Sequence, residues 1–104
     1  MMTEAMPPCV VALFVAGGTP RSAAARRNLA AALEAMGRPV APLRVDIVDV
    51  LLQPDRALEV GLLATPSLML TPPGGGRRWF VGDLGRADLL RGWLEDSLEP
   101  AAES

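Results

Sequence analysis

The sequence predicts an α/β domain with a mixed central sheet, its elements running in the order βαβαββα. Three observations carry that prediction. An uncharged apolar run spans Cys9 to Val15, apolar residues recur at helical spacing after Thr19 and Pro20, and a second strand pattern begins at Leu43. A strand, a helix and a strand of these lengths form one βαβ unit, in which the two strands lie parallel under the crossing helix.

The first strand is rich in Val, has no polar position to turn toward water, and ends at Gly17 and Gly18, so both of its faces should be buried. Thr19 is a helix N-cap and Pro20 a first helical residue. Ser22, Leu29, Leu33 and Met36 then recur on one side until Gly37 ends the helix. Leu43, Val45 and Ile47 alternate with Arg44 and Asp46 before Val48, as in a strand that begins at a wet edge and runs inward. Pro54 opens a short second helix, with Ala57, Leu58 and Leu62 as its expected buried stripe. Ser67 to Thr71 and Arg77 to Val81 read as two strands joined through the PPGGG tract as a hairpin. Asp83 is placed to cap the last helix, in which Leu89, Leu90, Trp93, Leu94 and Leu98 share a face.

One domain from residue 9 to 99 is expected, with a disordered lead-in at 1–8 and a short tail at 100–104, because 104 residues with half of them apolar support one core. Ten basic against twelve acidic residues give a net charge of −2, too small a field to gather nucleic acid or an anionic membrane. No apolar run is long enough to span a bilayer, and a single cysteine allows no internal disulfide, which together point to a cytoplasmic setting. The chain contains no histidine, so a Cys and His metal site and any Ser-His or Cys-His nucleophile are excluded. No cofactor and no metal are expected. Asp46, Asp49, Asp55 and Asp83 lack the spacing of an ion loop, and the GGTP turn matches neither glycine-rich phosphate fingerprint, so a capped turn is the better reading of it.

The order βαβαββα suggests a thioredoxin-like fold, whose CxxC pair would lie where this chain has AGGTPRS. Cys9 stands at the opposite end of the first strand, roughly 20 Å away at the usual rise per residue. Three segments, LFVAGGTPRS (13–22), DVLLQPDRALEVGLLATPSL (49–68) and RRWFVGDL (77–84), resemble the KaiB family in order and spacing. That resemblance implies binding rather than turnover: KaiB proteins dock on the ATPase ring KaiC, displace the clock-output kinase SasA and sequester KaiA. It also implies two interconvertible folds, a monomeric thioredoxin-like one and a tetrameric ground state of order βαββααβ, the second half of the chain being the part that refolds. Gly92 inside the last helix costs roughly 1 kcal/mol against Ala, and Pro66, Pro72 and Pro73 can isomerise, so those features permit switching. Pro66 is expected to hold a cis bond that sets the following strand in place.

Arg26 and Arg27, with Arg44, Arg77 and Arg78, could form a basic face for an acidic partner or be ordinary solvated charges. The resemblance favours the first reading, since Arg44, Arg77 and Arg78 fall where KaiB proteins carry basic partner contacts, as does Arg27 with less support. Trp79, near the turn, is the one aromatic expected at the contact surface. The expected function is therefore a non-catalytic adaptor for a KaiC-type ATPase or a sensor kinase, in a clock or in stress signalling. A thiol- or glutathione-dependent enzyme using Cys9 is the alternative.

Overall fold

The structure, a computed structural model, describes residues 9–36, 43–62, 64–72, 74–80 and 84–98. Its elements are β1 (Cys9–Val15), α1 (Pro20–Met36), β2 (Leu43–Asp49), α2 (Pro54–Val60), β3 (Ser67–Thr71), β4 (Arg78–Phe80) and α3 (Ala87–Leu98). They form one four-stranded sheet of order β2-β1-β3-β4. β1 and β2 are parallel, in register from Cys9 opposite Leu43 to Val15 opposite Asp49. β3 runs antiparallel to β1 and also to β4. The expected βαβαββα order is thus observed, and so are the parallel first pair and the hairpin.

The apolar run of β1 follows from its position inside the sheet. Val11, Leu13 and Val15 face α1 and α3 and join Leu29, Leu68, Leu70, Leu90 and Leu94 in the larger core cluster. Ala12 and Phe14 face the other way, onto Val48 and Met69, with Val60, Leu62 and Trp79 at the margin. Each large apolar side chain sealed in this way contributes about 1.5 to 3 kcal/mol. α1 can lie close to the sheet because small residues, Ala25 and Ala32, stand at its contact with the strands and α3. Thr19 caps it as expected, its Oγ1 accepting from the Ser22 amide at 3.2 Å.

Two details depart from expectation. Of the stripe expected on α2, Leu62 packs on the core from just beyond the helix and Ala57 is half-buried, but Leu58 is 82% exposed and Val60 takes its place. Two turns of helix over one margin of the sheet cannot turn a full stripe inward. Leu89 is also outside the core, 48% exposed, whereas Leu90 and Leu94 are fully buried. The side chain of Leu98 lies outside the described residues. So do Pro73, Val81 and Asp83. The Leu90 amide donates to the Arg86 carbonyl, so α3 opens after Arg86, and the cap expected of Asp83 lies outside the described residues. The cis bond expected before Pro66 is present.

Candidate functional site

The turn that leaves β1 is closed by the chain's own oxygens. The Asp49 Oδ1 atom accepts from the amides of Gly17 and Leu51, each at 3.0 Å, and so ties the exit of β1 to the exit of β2. Ser22, buried under the turn, accepts from the Ala16 amide through Oγ at 3.1 Å. Gly17 has φ 61°, the left-handed region that favours glycine, and a Cβ there would come within 3.2 Å of Cδ1 on exposed Leu51, which would have to shift slightly. The amides of Ala16, Gly17 and Ser22 are therefore already satisfied within the turn. Asp49 carries no ion-loop spacing and so is not among the site residues the sequence marks. An aspartate closing a strand just before a turn is the signal that would have found it, since its carboxylate commonly accepts from amides in the turn that follows.

No thiol lies in this turn. Cys9 begins β1 at the other end, 3% exposed, and burial pushes its thiol pKa above the usual value, which keeps it protonated and poorly nucleophilic. Among the described residues no group of three or more His, Cys, Asp or Glu could hold a metal ion. No helix among them is long and apolar enough to cross a membrane.

The arginines do not converge on one patch. Arg44 pairs with Val10 on β2, at one edge of the sheet, on the side of Ala12 and Phe14. Arg78 pairs with Leu70 on β4, at the opposite edge, on the side of α1 and α3. Two strands lie between them, a separation of about 14 Å in the sheet. Arg77 adjoins Arg78, and both are exposed. Arg26 and Arg27 are exposed on α1. Arg44 Nε lies 3.4 Å from Asp46 Oδ1, on a side chain 65% exposed. Trp79 is half-buried, its ring 6.0 Å from that of Phe14, so most of it belongs to the smaller core cluster. Pro72 follows β3, and Gly92 is exposed on α3, where a Cβ would touch nothing within 4 Å.

Sheet order, helix placement and a thiol-free turn define the class: a thioredoxin-like domain whose usual reactive position holds glycines and a capping threonine. The chain belongs to the KaiB family, whose domain model matches residues 12–95. It is 40% identical over 95 residues to the circadian clock oscillator protein KaiB of Synechococcus elongatus, covering 85% of this chain and 90% of that one. It is 44% identical over 77 residues to the KaiB of Acaryochloris marina, covering 72% and 69%. Among solved structures, the N-terminal domain of Synechococcus elongatus SasA is similar with a TM-score of 0.71 at 25% identity, over 92% of this chain and 89% of that one. Mitochondrial thioredoxin 3 of Saccharomyces cerevisiae, at 22% identity and a TM-score of 0.68 over 85% and 77%, shares the fold. Of the two folds that the KaiB resemblance implied, this structure has the thioredoxin-like one.

Proposed function

We propose that this chain is a non-catalytic, cytoplasmic protein-binding regulator that docks on a KaiC-type ATPase or a signalling kinase, in circadian or related timing and stress signalling. The observation that carries the reading is the turn after β1: a KaiB-family chain keeps a thioredoxin-like frame there but fills the reactive position with Gly17, Gly18 and Thr19, of which Gly17 is bonded to Asp49 and Thr19 to Ser22. What is left to act on another molecule is surface. The KaiB relatives, named as circadian clock oscillator proteins, support a clock role, and likeness to the SasA N-terminal domain supports a protein partner.

The contact residues in this reading are Arg27, Arg44, Arg77, Arg78 and Trp79. Because Arg44 and Arg78 stand at opposite edges, they suit two different contacts better than one, as an adaptor joining two partners requires. Pro72, Pro73 and Gly92 are proposed as the places where the second half yields if the chain also visits the other family fold, in which a tetramer is the expected assembly.

Binding of the purified chain to a purified KaiC-type ATPase, with ATP and with ADP, tests the proposal. The expected result is a complex in at least one nucleotide state, weakened when Arg77 and Arg78 are replaced by Ala. Absence of any complex with ATPase or sensor kinase, together with a thiol-transfer activity that Cys9→Ser abolishes, would overturn it in favour of the redox enzyme.

A further inference from the structure

The arginines are divided between held and yielding backbone. Arg21, Arg26 and Arg27 lie in α1, Arg56 in α2 and Arg91 in α3, while Arg44 sits inside the seven-position ladder of β1 and β2. Arg86 stands just before α3, its Nε and Nη2 donating to the Asp88 carboxylate two residues on. The bond after Arg38 leads into Pro39, whose ring supplies no amide hydrogen and fixes φ.

Arg77 and Arg78 are placed otherwise. Every residue from Gly74 to Arg78 is exposed. Among the described residues one backbone hydrogen bond outside the ladder closes this segment, from the Gly75 amide to the Pro72 carbonyl at 3.0 Å. Gly75 and Gly76 have φ of 90° and 87°, and a Cβ on either would meet nothing within 4 Å, so both can pass to an extended conformation without steric cost. β4, which follows, is an edge strand paired over three positions on one side only, so the arginine pair can leave the sheet by local opening.

These features fit one class of partner. A serine endopeptidase takes its substrate as an extended strand, and one with an aspartate at the bottom of its specificity pocket selects arginine there. Arginines in helices or in a long ladder cannot take that shape without unfolding, and at Arg86 the neighbouring Asp88 would bring a second carboxylate toward an acidic pocket. Exposed loop tips of small residues are where such nicks concentrate.

We propose that residues 74–78 are a site of limited proteolysis, at which an arginine-specific serine endopeptidase opens the chain after Arg77 or Arg78 before it cuts anywhere else. Water is the co-reactant. The peptide C–N bond breaks, the water oxygen bonds to the arginine carbonyl carbon, and the two new ends become a carboxylate on that arginine and an ammonium on the residue after it. The covalent path from β3 to β4 and α3 is then cut, and a negative charge stands beside the guanidinium. The cut also switches off the Arg77 and Arg78 contact, a consequence that rests on the proposed function.

Dilute trypsin on the full chain, followed over time by intact mass, tests the site. Products ending at Arg77 or Arg78 should form about tenfold or more faster than any other, and the double variant R77Q, R78Q should slow the first cut about tenfold or more. About 1 M urea should change the rate of the first cut less than about twofold, because a cut made through global unfolding would speed up about fivefold or more. A first cut after any other arginine, or a urea response of the global size, overturns the proposal. The purified nicked chain should bind the ATPase about tenfold more weakly than the intact one. Equal binding overturns the switch and leaves the cleavage site standing. An intact chain that binds no ATPase or kinase removes the proposed function, while the masses still decide the site.

Discussion

Residues 9–49 and residues 67–98 each contribute two strands and one helix, yet they are held differently. In the first, a seven-position parallel register, the capped start of α1 and the Asp49 carboxylate all fix the same two strands. Among the described residues of the second, β3 pairs with β1 over five positions and with β4 over three, one edge-to-face pair at 5.4 Å joins Phe80 to Trp93, and the Asn28 amide reaches the Leu84 carbonyl at 2.8 Å. Redundant ties resist local opening, and few ties invite it. Stability in this molecule is thus expected to fall from β1 toward α3, in the half that also carries Pro72 and Gly92.

The largest effect should come from Leu13→Ala. Leu13 is fully buried in β1 beneath α1, and a cavity there should cost about 2 to 5 kcal/mol, read as a lower denaturant midpoint for the whole chain. Asp49→Ala comes next. It leaves the Gly17 and Leu51 amides without their shared acceptor, at an expected cost of about 2 kcal/mol by the same measurement. Asn28→Ala removes a single bond and should cost about 1 kcal/mol. Its sharper signature is faster amide exchange across 84–98 with 9–15 unaffected, and uniform acceleration over both halves would break the comparison. Gly92→Ala runs the other way. The added methyl meets nothing within 4 Å, so α3 should gain roughly 1 kcal/mol, seen as slower exchange in the same segment.

The smallest effect is electrostatic. The hydrogen bond from Arg86 holds the Asp88 carboxyl below its usual pKa. A value lower in the folded than in the unfolded chain means a contribution present above the unfolded pKa and lost as the pH falls through the folded one. Asp88 is fully exposed, so this contribution is small. Arg86→Ala should raise the Asp88 titration midpoint in an NMR pH series.

How much of this was legible beforehand depended on whether the signal was local. The uninterrupted apolar run of β1 announces a strand covered on both faces, and Thr19 followed by Pro20 announces a helix start, because each is decided by neighbours in sequence. Leu58 and Leu89 misled because adjacent apolar residues on a short helix fix its period poorly, leaving open which of them turns inward. The scattering of Arg44 and Arg78 to opposite edges could not be read at all. It follows from β1 and β3 lying between their strands, which is a property of strand order and not of spacing.

Cys9 has one more consequence. This frame is widely used for electron exchange, yet the only sulfhydryl in the chain is sealed beneath the helices with its proton held on. An oxidative burst therefore finds no accessible thiolate to convert to a sulfenic acid or a mixed disulfide. The exposed surface of this domain should therefore stay chemically the same as the glutathione poise around it changes.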